Sequence, residues 1–514
     1  MINKKNSSRK EFLINTMYLF FLSIFLIVVF LAKRFNLPVS ESNFFIRETA
    51  TLASTIKIYW HTPIYVYLLH FIQNIFSAWR MNYYYINVFS IFISMIIVSK
   101  ISDQYQTPKF LKYLLLFMLI TYSPLFNSLY LVDIDTSLII PMILGVIYIL
   151  NMQIGFKKKQ LLLGLMLVLI FWTKEVVYFI TMPCILLSYI KTYNYKKGSY
   201  YFGILLLSTL AINISTYGVY SQLIYGDWGA LSFNGSKMLD VFSPKDLGAK
   251  SSYIKRLISI LIWFNPITFL IAGLNLKKSE NSKLINLNIM LIIPVIIYFF
   301  LWGGVGFPKY FIPYASLLLV SIFSISLEKK FSKLIIQKAV FLAIVLIAMY
   351  YYLGDYILIA YRSINENPFP IFTIIFYAAL YGFLPIVMAM ILKKKFNIKI
   401  VITLILFFIS QNTALFIHQL QANYSTNYHY GDIGLSDVIS YINHQKINEQ
   451  TDFMLYNYMY KKSQMDHSEK YFIERDMSFI RRAFPWSKRV YSYEYVMKNY
   501  KKIDQIGNYQ VWAK

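Results

Sequence analysis

The stretch Gly155–Gly203, GFKKKQLLLGLMLVLIFWTKEVVYFITMPCILLSYIKTYNYKKGSYYFG, decides how this chain folds. Two apolar runs, 161–173 and 176–191, lie between Lys157-Lys158-Lys159 and Lys196-Lys197, and they are separated by the polar break Thr173-Lys174-Glu175. Loops rich in Lys and Arg stay on the cytoplasmic side of a membrane. Both flanks therefore lie on one side, and an even number of crossings separates them. The break reads as the outer turn of a short hairpin. Each arm is shorter than the roughly 20 residues that cross a bilayer comfortably. The sequence thus predicts either a locally thinned membrane or a turn partly enclosed by protein.

The same alternation runs through the whole chain. Further clusters stand at Lys4-Lys5 with Arg9-Lys10, Lys277-Lys278, Lys329-Lys330 and Lys393-Lys394-Lys395. The segments between them hold most of the carboxylates able to do chemistry. Of 514 residues, 57% are hydrophobic, 18% aromatic and only 14% charged. Soluble domains average about 45–50% apolar and about 25% charged, so the pattern predicts an all-α polytopic membrane protein. The net charge of +26 would point to nucleic acid in a soluble protein. Here lysine-rich loops against anionic lipid account for it, and no nucleic-acid partner is expected. Cys184, the one cysteine, excludes an intrachain disulfide and reads as a small buried hydrophobe.

Apolar runs place candidate spans at 12–32, 84–101, 110–127, 136–152, 161–173, 176–191, 199–223, 256–276, 284–302, 309–327, 338–353, 370–392 and 398–418, thirteen in all. The first run is too long for a signal peptide and has no cleavage site, so it reads as a membrane helix with the N-terminus cytoplasmic. Segment 62–78 is a further candidate. Counting it would turn Lys157–Lys159 outward, and Tyr, His and Gln interrupt its apolar residues, so it reads as an interfacial helix. The expected organisation is a transmembrane part, 1–418, with outer loop 33–83 carrying interfacial helices, and an extracytoplasmic C-terminal domain, 419–514. In that domain Leu435–His444 reads as a helix, Asp452–Tyr458 as a strand and 501–513 as a hairpin turning at Gly507-Asn508, a small α/β unit. Ile-, Asn-, Lys- and Tyr-rich usage suggests an AT-rich bacterial genome, hence a multi-pass protein of the cytoplasmic membrane.

The outer segments carry the candidate chemistry: Ser40-Glu41, Arg47 and Glu48, then HTPIY at 61–65, DIDT at 133–136, GLMLVLIFWTK at 164–174 and PKYFIP at 308–313. In this order the set resembles the GT-C superfamily of polyprenyl-phosphate-sugar glycosyltransferases, particularly protein O-mannosyltransferases and lipid A aminoarabinose transferases. Ser40-Glu41 stands for the family's acidic pair, HTPIY for a His-Pro-Pro-Leu-Tyr element, DIDT for an Asp-Thr turn opening a span, and Lys309-Tyr310 for an Arg/Lys-Tyr-x-x-Pro element. Ser40 replaces the family's leading Asp, and one proline of the His-Pro-Pro element is lost to Ile64 or Thr62. The resemblance implies thirteen spans, an outer C-terminal domain, and transfer of a sugar from an isoprenoid phosphate to a hydroxyl of a lipid, glycan or protein.

The chemistry asks for the same residue types. A carboxylate that takes the acceptor's proton contributes about 10²–10⁴-fold. The leaving phosphate wants cations more than an acid. Glu41 is the expected base, with Glu48 or Asp133 as alternates. Lys174, Lys309 and Arg47 are expected to hold the donor phosphate, and His61, Tyr65, Asp135, Glu175 and Tyr310 to line the substrate site. Each has a plainer role open to it. Glu41 and Glu48 suit a solvated loop, and Asp135 suits the N-cap of a helix from Thr136. Lys174 suits pairing with Glu175 or snorkelling, Lys309 an interfacial anchor, and His61 a structural hydrogen bond. No His/Cys spacing resembles a zinc site, no cofactor is assigned, and Asp133 is free to bind a divalent metal or the acceptor. Two other classes remain open: a flippase for a lipid-linked saccharide, which would show midplane charges or broken helices, and an O-antigen polymerase or ligase, which would depend on outer arginines such as Arg362.

Overall fold

The computed structural model describes residues 16, 19–20, 22–23, 63–76, 85–128, 134, 137–226, 228, 253–276, 282–301, 311–323, 333–353, 371–396, 399–421, 453–456, 471–475, 498–506 and 509–514. Its helices are α1 (Ile64–Phe76), α2 (Tyr85–Gln104), α3 (Lys109–Thr121), α4 (Ser123–Ser128), α5 (Ile139–Asn151), α6 (Phe156–Thr173), α7 (Glu175–Tyr193) and α8 (Tyr195–Tyr225). They continue as α9 (Tyr253–Phe264), α10 (Pro266–Leu276), α11 (Ser282–Leu301), α12 (Ile312–Phe323), α13 (Lys333–Tyr352), α14 (Ile371–Ala378), a π-helical turn (Ala379–Phe383), α15 (Leu384–Phe396) and α16 (Ile400–Gln421). Five described stretches are long and apolar enough to cross a membrane: Tyr85–Gln104, Glu175–Tyr193, Tyr195–Ile224, Ile374–Lys395 and Ile400–Ile417. The chain is an integral membrane protein. Outward rows such as Ile204, Leu207, Val219 and Leu223 on α8 are apolar and exposed, as lipid-facing helices require.

α6, α7 and α8 form an antiparallel sheaf, and α7 also packs on α11. α2 lies against α5, and α13 and α15 lie against α16. α12 is buried along its entire length, with α3, α5, α10 and α11 around it. One end of the bundle is tied by polar bonds. Gln104 donates to the Tyr148 carbonyl at 3.2 Å, Asn151 to Tyr105 OH at 2.9 Å, Asn286 to Asn151 Oδ1 at 3.0 Å and Gln160 to the Tyr201 carbonyl at 3.4 Å. Burial holds the Tyr105 phenol above its ordinary range. These bonds gather Lys157–Lys159 and Lys196-Lys197 at that same end.

Two of the runs read as single spans are broken and a third is distorted, at a common level. Run 110–127 breaks at Tyr122, where the backbone turns extended (φ −65°, ψ 121°) between α3 and α4. Run 256–276 breaks at Asn265, with φ +68°, between α9 and α10. Run 370–392 widens into the π-helical turn. Breaks inside a membrane need partners for the freed backbone groups, and the adjacent pair Gln411-Asn412 of unbroken α16 supplies them. Asn412 accepts from Ser123 N–H at 3.1 Å and donates to the Thr121 carbonyl at 2.9 Å. Gln411 accepts from Asn265 at 2.7 Å and donates to Tyr350 OH at 2.9 Å and to the Tyr381 carbonyl at 3.3 Å. Tyr122 and Tyr377 donate to the Phe264 and Ile262 carbonyls at 2.6 and 3.2 Å, and Tyr350 donates to the Leu380 carbonyl at 3.0 Å.

Near the C-terminus β1 (Phe453–Tyr456), β2 (Tyr471–Arg475), β3 (Lys501–Ile506) and β4 (Tyr509–Ala513) form one sheet in the order β1-β2-β4-β3. β1 pairs with β2 in parallel, and β4 is antiparallel to both β2 and β3. The expected strand at 452–458 and hairpin at 501–513 are present. β2 was not foreseen. The expected helix 435–444 lies outside the described residues.

Candidate functional site

Lys174 is the single residue linking α6 to α7. Its backbone is extended (φ −157°, ψ 103°), its N–H closes the last turn of α6 on the Ile170 carbonyl at 2.7 Å, and its own carbonyl starts α7 by accepting from Val177 N–H at 3.1 Å. Glu175 opens α7, where the helix dipole favours a carboxylate. Both side chains are enclosed: Lys174 is 5% exposed and Glu175 2%. At about 1.5 Å per residue, Lys174 stands about 22 Å along α6 from Lys159, whereas Tyr225 stands about 42 Å along α8 from Lys197. A hydrocarbon core is about 30 Å thick. The hairpin thus stops short of a full crossing, and α8 rises well past it. Protein covers the turn, so the arms need not reach water.

The long helix packs along that hairpin. Thr209 and Thr216 of α8 bracket the turn: Thr209 Oγ1 is 2.8 Å from Tyr178 OH on α7, and Trp172 of α6 donates to Thr216 Oγ1 at 3.2 Å. Asn213 lies between these two bonds and is fully buried, and neither of its amide atoms has a hydrogen-bond partner among the described residues. Above it Tyr217 and Tyr220 stack at 5.8 Å, and Trp228 lies over Gly218, where a Cβ would collide with the indole ring. α1 joins from the side. It packs on α6, and Tyr67 OH is 3.4 Å from Tyr220 OH. α1 buries Tyr65, Val66 and Leu69 and exposes Phe71 and Ile75, the two-faced pattern of a helix lying at an interface.

Of the residues singled out from sequence, the structure brings Tyr65, Lys174 and Glu175 to the end of the bundle opposite Lys157–Lys159. Glu41, Arg47, Glu48, His61, Asp133, Asp135, Lys309 and Tyr310 lie outside the described residues. No group of three His, Cys, Asp or Glu side chains able to hold a metal occurs among the described residues. Sequence reading passed over Asn213 and the Gln411-Asn412 pair. For the pair a signal existed. Ser123-Pro124 and Asn265-Pro266 are dipeptides that end one helix and start the next. Beside the pair sits a small cavity, lined in part by Tyr122, Trp263, Asn265, Tyr377 and Gln411, with room for about one water molecule.

Compared with solved structures, the chain is similar to ArnT from Cupriavidus metallidurans, a lipid A aminoarabinose transferase of the GT-C class. The crystal structure of that protein bound to undecaprenyl phosphate aligns over 96% of this chain and 97% of its own, with a TM-score of 0.54 and 11% identity. The chain has the ArnT fold. The apo form of ArnT gives a TM-score of 0.48 at 12% identity over the same shares. No protein-family model and no curated protein matches the sequence. The GT-C resemblance seen in the outer-loop motifs therefore holds for the fold, from the helical bundle through to the C-terminal sheet.

Proposed function

We propose that this chain is a membrane glycosyltransferase that moves a sugar from a polyprenyl phosphate to a hydroxyl acceptor at the outer face, inverting the anomeric carbon by a single displacement. The reading rests on one observation: an ArnT-like fold along 96% of the chain. The bound undecaprenyl phosphate of that relative indicates the class of carrier. Glu41 takes the acceptor's proton, with Glu48 or Asp133 as alternates. Lys174, Lys309 and Arg47 neutralise the departing phosphate, which needs positive charge as the glycosidic bond breaks. His61, Tyr65, Asp135, Glu175 and Tyr310 line the substrate. Residues 419–514 shape the acceptor side from outside the membrane.

The buried Lys174-Glu175 turn supports this reading, because an ionisable pair enclosed at membrane depth is costly to keep and marks function by default. The test uses the purified full chain with a polyprenyl-phosphate sugar and a hydroxyl acceptor. Glu41→Gln abolishes transfer with yield and elution unchanged, and full activity in that variant refutes the base assignment. A second reading, a flippase for a lipid-linked saccharide, is favoured by two helix breaks and a π-helical turn at one level. The break plane is held by amides, phenols and backbone rather than by charges, which favours the enzyme. Movement of labelled lipid without any transfer would favour the flippase.

A further inference from the structure

The hairpin arms bring five exposed lysines around one aromatic cluster at the end opposite Lys174. Phe156, at the start of α6, packs between Tyr201 (4.1 Å) and Tyr193 (5.8 Å), which are themselves 5.4 Å apart. Lys157 and Lys158 follow Phe156, Lys191 precedes Tyr193, and Lys196 and Lys197 sit in the first turn of α8. All five are exposed, as are Tyr195 and Tyr200 beside them. Gly198 folds this turn tightly back on α7: a Cβ there would come within 2.7 Å of the Ile190 backbone. Lys159 is set apart. It is half-buried and donates to the Leu150 carbonyl at 3.1 Å. Between residues 137 and 226 the only acidic side chain is Glu175, at the other end of the sheaf. No carboxylate of these helices neutralises the cluster.

Apolar rows run directly from these cations along the lipid-facing surface. α6 exposes Leu161, Leu165 and Leu169, and α8 exposes Ile204 and Leu207. The two helices meet at Gly164, where a Cβ would sit 3.8 Å from Leu205 and Thr209, so the rows flank a narrow groove. A cationic rim with exposed tyrosines above an apolar groove matches an amphiphile with an anionic head.

We propose that the start of α6 and the α7–α8 turn form a binding site for one anionic glycerophospholipid, its phosphate held by Lys157, Lys158, Lys196 and Lys197 and its acyl chains lying in the α6–α8 groove. The tyrosines seat at headgroup depth, as interfacial aromatics do, and basic pockets between membrane helices bind such headgroups. The site is independent of the sugar-transfer reading. It also pins the sheaf that carries Lys174.

The test is equilibrium binding of fluorescent phosphatidylglycerol to the full chain in mixed micelles of neutral detergent. The quadruple variant Lys157→Gln, Lys158→Gln, Lys196→Gln, Lys197→Gln is expected to weaken binding about ten-fold or more, since each lysine near an anionic lipid contributes appreciably. Arginine at the same four positions restores it, which separates loss of charge from loss of folding. Lys393→Gln with Lys394→Gln and Lys395→Gln, which removes charge elsewhere, leaves binding unchanged. An equal loss in that control shows only diffuse attraction and overturns the site. Phosphatidylcholine binding as tightly as phosphatidylglycerol, or displacement of the lipid by millimolar inorganic phosphate, overturns the ligand class.

Discussion

Replacing Asn412 with Leu tests whether one amide holds the break between α3 and α4. The substitution removes the acceptor for Ser123 N–H and the donor to the Thr121 carbonyl, bonds of 3.1 and 2.9 Å. Leucine is similar in bulk and a better helix former, so the change removes hydrogen bonds with little loss of packing. The orphaned groups are backbone atoms at a buried break, where no water stands ready. Each unsatisfied buried group costs about 1–3 kcal/mol, which gives about 2–6 kcal/mol for the pair. Interhelical side-chain bonds in membrane bundles average only about 0.6 kcal/mol, because the unfolded reference state finds other partners. Backbone groups fixed at a break lack that freedom in the folded state, so the expected loss is about 2 kcal/mol or more. Reversible unfolding in mixed micelles with rising dodecyl sulfate, followed by circular dichroism, measures it. Ser410→Ala is the control. That hydroxyl donates to its own helix at the Leu406 carbonyl (2.9 Å) and weakly to Ala343 (3.5 Å), so a change of under about 0.5 kcal/mol is expected. An Asn412→Leu chain that unfolds within about 0.5 kcal/mol of the wild type would refute the view that this side chain secures the break.

Gly198→Ala forces a Cβ to within 2.7 Å of the Ile190 backbone and is expected to cost about 1–3 kcal/mol in the same assay. Gly203→Ala, with nothing within 4 Å, is expected to be neutral or to stabilise α8 by up to about 1 kcal/mol. Lys174→Met, measured under the glycosyltransferase reading, raises KM for the lipid-linked donor more than Lys174→Arg does, and equal kinetics in the two variants would leave charge at this position without a role. Asp103→Asn breaks the 2.8 Å pair with buried Lys112, and because Asp103 is largely exposed the expected loss is about 1 kcal/mol or less, shrinking as salt rises.

Much of the bundle was legible because the membrane imposes one dominant rule. Lysine clusters bound apolar runs, and parity then forces a turn at Lys174, where the structure has it. The expected interfacial segment 62–78 contains a helix, Ile64–Phe76, with one buried and one exposed face. The broken spans were illegible to a hydropathy reading, because a break inside the membrane leaves the run apolar. Tyr122 and Asn265 interrupt hydrogen bonding and the 379–383 turn shifts its register, while hydrophobicity is unchanged. Proline carried the signal at two of them, placed at or just after the first helical residue beyond the break, where its missing N–H costs nothing. β2 escaped for a different reason. Its antiparallel partner β4 is distant in sequence, and no hairpin turn marks it.

The site was legible only as residue types at one end of the bundle. Lys174 and Glu175 announced themselves as charges between two short apolar arms, and the arms' shortness follows from the enclosure found around them. Burying an ion-bearing pair is seldom stabilising against an apolar alternative of the same size. A chain that needed only a tight turn would therefore do better with neutral residues there. Asn213 could not be read the same way, since one Asn in an apolar helix resembles any satisfied amide until its neighbours are known. Thr209 and Thr216 are what place it, through their bonds to Tyr178 and Trp172. Its place between those bonds sets it near the level of the Lys174 link, and α8 continues about 20 Å beyond the hairpin. Length mismatch between neighbouring helices, more than any single motif, is what encloses a polar hairpin turn.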